Sequence, residues 1–351
     1  METGRLEAIL SYFSQVRVAV LGDFFLDLYI ELDRSLSELS LETNKEAFQA
    51  VNLRGQPGAA GVVTANLVAL GAQTAAIGVV GQDGNGFTLQ QALTSQGVQT
   101  GYLVEVEGRL TATYTKPMMR EVDGPTVELN RIDILNHSLN PKGLNQQLAD
   151  NTQQAIDEFD GILIVEQVKD DGFGTMSPLL RDTLARISKN YPQKPIVVDS
   201  RHHAAKYAGV SLKMNLAEAI TAVKALSLKD SIPHSQKKIE IAEACARSLY
   251  SAMNKPVFIT LGNEGIVGIA KDDMFHWPGS KFEGPVDTVG AGDSVLAGIG
   301  LALCAGASPK EAAYIGNLIG SIIVQQLGTT GIATRQGLLQ RHVEYQTQIT
   351  G

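Results

Sequence analysis

Cysteine is nearly absent from this chain: Cys245 and Cys304 are the only two, and both sit in apolar helical contexts. A pair so placed gives neither a disulfide framework nor a zinc site, and it suits a reducing compartment. Basic residues are outnumbered, 29 against 37 acidic ones for a formal charge of −8, which speaks against general binding to nucleic acid or acidic membranes. An anionic ligand would therefore need a local basic patch. No uninterrupted apolar run reaches the roughly 18 residues of a membrane-crossing helix, and Glu2, Arg5 and Glu7 stand where an export leader would be basic and then apolar. Repeats and low-complexity tracts are missing too. The expectation is a cytoplasmic protein with neither nucleic acid nor membrane among its partners.

What is present is the composition of an ordinary globular protein, 44% hydrophobic and 19% charged. At 351 residues the chain exceeds the usual size of one core, so one large domain with an appendage, or two domains, is expected. Short β-branched runs at Val16–Leu21, Thr74–Val80, Gly161–Val165, Pro195–Asp199 and Pro256–Leu261 alternate with apolar-periodic stretches such as Ala59–Leu70 and Met176–Ile187. That rhythm predicts a mostly parallel sheet with helices on both faces, whose ligands gather at the carboxyl ends of the strands. Asp23, Gly81, Glu166, Asp199 and Gly262 fall at or just after such ends. Two pairs of segments break the rhythm. Leu26–Leu32 with Ala47–Leu53, and Tyr102–Val106 with Thr111–Met119, tend to a two-residue period with no helix between partners. They predict a small separate sheet with strands inside 24–53 and 101–121.

The segment Asp287-Thr-Val-Gly-Ala-Gly-Asp293 carries the most chemistry. Gly290 and Gly292 leave the backbone amides open to an anion, and Val295, Leu296, Ile299 and Leu303 predict a helix over Ser294–Cys304. A glycine loop leading into a helix N-terminus is an anion site, most often for phosphate. Asp293 at its tip would repel that anion unless it has a task, such as taking a proton from an attacking hydroxyl. The plainer alternative makes Asp293 a helix N-cap and the glycines a tight turn.

With that segment in view, the chain resembles the ribokinase-like (pfkB) carbohydrate kinases, whose hallmark is D-T-x-G-A-G-D near the C-terminal end. Gly22-Asp23-Phe-Phe-Leu-Asp27 is similar to the family's first strand exit. Pro57-Gly58-Ala59-Ala60 resembles its glycine-rich substrate loop, Asn215-Leu-Ala-Glu218 its N-x-x-E, and Thr260-Leu-Gly262-Asn-Glu-Gly265 its T-x-G-x-x-G. Within the family, Gly22 to Tyr29, Thr113-Tyr-Thr-Lys116 and Asn130-Arg-Ile-Asp133 look most like the kinase half of the bifunctional heptose-phosphate kinase/adenylyltransferase. The resemblance implies one ribokinase-like three-layer α/β domain over residues 1–351, with a small sheet as a lid that often carries a homodimer contact. It implies transfer of a phosphoryl group from ATP to a sugar or sugar-phosphate hydroxyl, with Asp293 as base and Gly290, Ala291 and Gly292 as an anion hole. Asp27, Gly58, Ala59 and Glu166 would meet the sugar. Asn215, Thr260, Gly262, Gly265 and Asn317 would lie on the nucleotide side, with Asn215 and Glu218 organising Mg2+ largely through water. Asp287 and Val289, with the turn Gly328-Thr329-Thr330-Gly331, would hold a monovalent cation such as K+. Lys116 and Arg120 are candidates to meet a phosphate already on the sugar, with Arg131 assisting, although exposed strands also carry basic residues for solubility.

The match has gaps. The substrate loop of the most similar family members reads P-G-G-A-A-N, and its asparagine binds sugar hydroxyls. Val62 stands at that position here, and Ala59 replaces the second glycine, which reads as a milder change. The usual aspartate or asparagine after the central strand appears as Glu166-Gln167. The end at Gly351 leaves no room for an adenylyltransferase, so a stand-alone kinase is expected. Its competitor is a non-catalytic relative that binds nucleotide or sugar and acts through protein contacts. A dinucleotide-dependent oxidoreductase is disfavoured, because Gly22-Asp23-Phe24-Phe25 stands where G-x-G-x-x-G would follow the first strand. Adjacent His202 and His203 point in different directions and read as structural, as Trp277 and Tyr314 read as packing.

Overall fold

The structure, a computed structural model, describes residues 1–271, 273–328 and 330–350. Among them, nine strands form one sheet in the order Asp273–Trp277, Ile266–Ala270, Val257–Thr260, Ser211–Asn215, Ile196–Ser200, Gly161–Glu166, Arg17–Gly22, Gln73–Gly81, Gln99–Val106. From Val257–Thr260 to Gln99–Val106 every neighbouring pair is parallel, and the first two strands add an antiparallel edge. Both faces are covered, which is why the central strands read as unbroken apolar runs. Val18 and Val20 of the strand Arg17–Gly22 enter one hydrophobic core, Ala19 and Leu21 the other. Helices Thr3–Tyr12, Ala60–Ala69, Gly84–Ser95, Ala291–Cys304, Pro309–Ile323 and Arg335–Thr350 close the first face. Leu144–Glu158, Pro178–Asn190, Leu216–Ala225 and Lys238–Met253 close the second. Local signals place several of these helices: Ser308 and Glu311 form a reciprocal capping box around Pro309, and Ser177 caps the helix begun by Pro178. None of the described helices is long and apolar enough to cross a membrane.

A second sheet of five strands stands off this body, in the order Glu46–Ala59, Phe24–Leu39, Thr113–Arg120, Thr126–Glu128, with Ile132–Ile134 also paired to Thr113–Arg120. One expected member is elsewhere. Gln99–Val106 joins the large sheet in parallel with Gln73–Gly81. Its two-residue period is that of a half-covered edge strand, and Gly84–Ser95 is the crossover helix that a parallel partner requires. The chain then passes straight into Thr113–Arg120, so absence of an intervening helix marked a change of sheet instead of a hairpin.

The junction between the second sheet and the helix Ala60–Ala69 is strained. Ala59 takes φ +50° and ψ −114°, a region open to glycine and costly for any residue with a Cβ, by about 1–3 kcal/mol. Alanine for glycine is therefore not the mild change that the sequence suggested. Ala59→Gly should raise the melting temperature by a few degrees, since relief of strain exceeds the ~0.5–1 kcal/mol of added chain entropy. An unchanged or lower melting temperature would show that no strain is stored there.

Candidate active site

Parallel strands end on one edge, and the residues singled out in the sequence collect along it: Asp23 follows Arg17–Gly22, Glu166 ends Gly161–Glu166, Asp199 is the last residue but one of Ile196–Ser200, and Asn215 ends Ser211–Asn215. Above this edge, Gly290 at φ +73° is the N-cap of the helix Ala291–Cys304. Asp293 therefore lies inside the first turn and is not the cap. Ala291 already gives its N–H to Thr288 O at 3.2 Å, whereas the amides of Gly292 and Asp293 lie in a turn where the helix offers no acceptors. Asp287 braces the loop from below: Oδ1 accepts the N–H of Val289 at 3.0 Å and Oδ2 that of Gly328 at 3.2 Å.

The carboxyl group of Asp293 is pushed up to about 7 by burial and then by the charge of Asp199, against the opposing pull of Lys213 and Arg201. Lys213 was not foreseen. It is 3% exposed, its ammonium contacts Asp199 Oδ2 at 2.5 Å, and a Cβ added at Gly292 would stand 3.1 Å from its Nζ. Burial alone would depress this ammonium, but Asp199, Asp293 and Glu218 together hold it above the usual lysine range. The signal was there to read, as a lysine between Leu212 and Met214 on an otherwise apolar strand. Arg201, directly after the strand Ile196–Ser200, is the second missed cation. It makes no ion pair among the described residues, and its charge reaches Asp293, Glu218 and Tyr114.

Asn215 and Glu218 form a capping box: Asn215 Oδ1 accepts the Glu218 N–H and Glu218 Oε2 accepts the Asn215 N–H, both at 2.9 Å. Among the described residues no hydrogen bond reaches the other oxygen of Glu218, Oε1. Burial and the neighbouring Asp199 raise its affinity for a proton. Three carboxylates that disfavour one another's charge, with exposed Asn215 beside them, are a donor set that fits a hydrated divalent cation.

On the inner face of the second sheet, Asp27 is 7% exposed and pairs with Lys116 at 3.0 Å. Its Oδ2 would lie 2.8 Å from a Cβ at Gly58, so glycine there keeps that oxygen open. The pairing alters the expected phosphate clamp. Lys116 is engaged by Asp27 and stacks on Tyr29, while Arg120 is bound to Asp33 with its side chain 65% exposed. Arg131 is held by Asp133 over the ring of Tyr114. Glu166, expected to meet the sugar, is enclosed by protein: Arg181 takes Oε1, Ser200 and Tyr207 take Oε2, and the residue is 2% exposed. Its neighbour Gln167 instead lines a cavity of about 320 Å³ with Arg109, Lys169, His137, Asn136, Phe25 and Tyr114. Arg109 is half-buried there and bound to neutral oxygens, Asn140 Oδ1 at 2.8 Å and Phe173 O at 2.6 Å.

On the far side, Gly262 and Gly265 shape the turn between Val257–Thr260 and Ile266–Ala270, and both have positive φ. A Cβ at Gly265 would lie 2.0 Å from Trp277 O. Thr260 Oγ1 donates to Met214 O at 3.3 Å. Asn317, 7% exposed, gives an amide hydrogen to Pro278 O at 2.7 Å, which leaves its own oxygen for a ligand. In the turn expected to join Asp287 and Val289 around a monovalent cation, Thr329 lies outside the described residues. Glu166, Asp171 and His203 are close enough to share a metal, but Arg181 already bridges the two carboxylates, and His203 Nε2 lies 2.5 Å from Lys169 O. Trp277 and Tyr314 pack edge to face at 4.9 Å.

Residues 16–335 match the pattern of the pfkB family carbohydrate kinases. A bifunctional protein HldE of Desulfatibacillum aliphaticivorans is 30% identical over 338 residues, 95% of this chain and 64% of the relative. Another, from Nitratiruptor, is 29% identical over 341 residues, at 95% and 65%. The chain thus spans slightly less than two thirds of these relatives, which agree with the likeness to a bifunctional protein read from the sequence. A solved ribokinase of Arabidopsis thaliana complexed with ribose and ATP has a TM-score of 0.65 at 19% identity, covering 93% of this chain and 98% of its own. Phosphofructokinase-2 of Escherichia coli in complex with potassium reaches 0.67 at 17%, covering 94% and 99%. At such identities the solved structures speak for the fold, which is the expected ribokinase-like one.

The displaced titration of Asp293 has a measurable consequence for stability. Between the usual carboxyl range and about 7 the folded protein holds a proton that the unfolded chain has released, so this group's contribution falls as pH rises. Asp293→Asn should therefore raise the melting temperature relative to wild type at pH 8 and lose that advantage near pH 4, as thermal melts across the range would show. A constant difference at all pH values would contradict the raised titration.

Proposed function

The chain belongs to the pfkB family of carbohydrate kinases, and from that premise we propose that it transfers the γ-phosphoryl group of ATP to a hydroxyl of a sugar or sugar phosphate. The observation that carries this reading is the place of the Asp293 carboxyl, in the first turn of a glycine-led helix and beside the buried Lys213 ammonium, where burial and then Asp199 push its titration up to about 7. As the sugar oxygen bonds to the γ-phosphorus, its proton passes to Asp293. The bond to the bridging oxygen breaks and ADP departs. The N–H groups of Gly292 and Asp293 and the ammonium of Lys213 face the charge that develops on the transferring group. Bound Mg2+ would neutralise phosphate charge, and Glu218, Asn215 and ordered water would hold it. Carbonyls of Asp287 and Val289 suit a monovalent cation such as K+.

Asp27 accepts sugar hydroxyls in this reading, and the second sheet acts as a lid that keeps water from the phosphate. The whole chain is one kinase domain, working in the cytoplasm. The outer lid carries exposed Leu36, Leu39, Phe48, Val51 and Leu53, an apolar surface suited to a homodimer. Because Lys116 and Arg120 are already paired, Arg109 is the better candidate to meet a phosphate carried by the sugar.

Two experiments test the proposal. Screening sugars, sugar phosphates and nucleosides for ADP release should find an acceptor for the wild type, and Asp293→Asn should lower turnover with it by on the order of a thousandfold or more while nucleotide still binds. No acceptor, or turnover near wild type in the variant, would sink the assignment. Arg109→Gln should raise KM for a phosphorylated acceptor by about ten- to a hundredfold, the value of a charge-assisted hydrogen bond, and change KM for the unphosphorylated parent little. Equal effects on both would remove Arg109 from that role.

A further inference from the structure

The helix that follows the substrate loop touches the anion loop directly at one level and the segment beside that loop at another. At its start, Val62 is 4% exposed, and its Cγ1 would lie 3.4 Å from a Cβ at Gly290, where Thr330 Cγ2 stands 3.5 Å away. One turn further on, Asn66 is fully buried and uses both ends of its amide. Its nitrogen donates to Val62 O at 3.0 Å within the helix and to Gly331 O at 3.3 Å across to the segment before the last helix. Its oxygen accepts the N–H of Ala333 at 3.2 Å. The segment so gripped returns to the anion loop through Gly328, whose N–H reaches Asp287 Oδ2, and through Thr330 beside Gly290. An apolar residue here would leave the Gly331 carbonyl and the buried Ala333 N–H without the partner that Asn66 gives them, so the buried amide fixes where this segment lies.

We infer that Asn66 is a positioning residue: it ties the substrate-side helix to the turn beside the anion loop, so that substrate loop and phosphate-binding amides keep a fixed distance. The inference rests on the kinase reading for its effect on rate, but the mechanical link is a property of the chain itself. The anion loop acts on charge that develops during transfer, so loosening its support lowers kcat and leaves KM for the sugar near its original value.

Asn66→Ser separates the link from the helix. The shorter hydroxyl still reaches Val62 O four residues back but neither Gly331 nor Ala333. Asn66→Ala, which removes all three bonds, is the harsher companion, and melting temperatures report whether each variant folds. In the intact chain, amide hydrogen exchange of Asn66→Ser should quicken about tenfold or more in both 287–293 and 330–334 while 60–69 stays protected. With the acceptor found by screening, kcat should drop about ten- to a hundredfold at a KM for sugar within about twofold of wild type. Quickened exchange confined to 330–334, or a parallel change in kcat and KM, would overturn the link. A wild type inactive on every acceptor would overturn the kinase reading alone, and the exchange result would still decide the link.

Discussion

The contact between Lys213 and Asp199 is the interaction on which the site depends. A lysine 3% exposed in a parallel sheet is tolerated only when paired, because desolvating an ammonium costs several kcal/mol and breaking such a pair leaves a buried charge. Asp199 meets that need, and the pair in turn sets the field around the carboxyl edge. It brings positive charge beneath Gly292 in a protein whose formal charge is −8. Asp199 also helps hold Asp293 protonated to an unusual pH. The pair thus places a cation beside the loop, while the raised titration of Asp293 comes first from its burial and then from Asp199, with Lys213 opposing.

Much of the fold could be read in the sequence because both faces of a parallel sheet must be apolar, which makes strands such as Gly161–Glu166 unmistakable between helices. Gln99–Val106 could not be assigned to its sheet, since a half-covered edge strand and a lid strand share the same alternation. The Asp287–Asp293 loop was legible because glycine spacing and the helix after it are local facts. Lys213, Arg201 and Asn66 act through contacts made by distant segments, which spacing along the chain does not disclose. Glu166 misled for the same reason: its place at a strand end is local, but its capture by Arg181, Ser200 and Tyr207 is tertiary.

Charges on the second sheet are arranged more economically than a count of basic residues suggests. Lys116 holds Asp27, Arg120 holds Asp33, and Arg34 joins Glu46 to Glu121 across the strands. Each of these cations ties the sheet together, and two guanidinium groups without a carboxylate partner among the described residues, Arg109 and Arg201, lie just after strand ends. Val62 belongs to the same economy. Its side chain packs toward Gly290, with Thr330 also beside that glycine.

A carboxyl group that titrates at about 7 makes the proposed enzyme responsive to its surroundings without any dedicated effector site. A base of ordinary acidity would be fully ionised across every condition a cell tolerates. Asp293 is instead half-protonated near neutrality, so a drop of one pH unit removes most of the competent population. A fall in pH would then slow the proposed transfer, a response that comes first from burial of the carboxyl and then from the charge of Asp199.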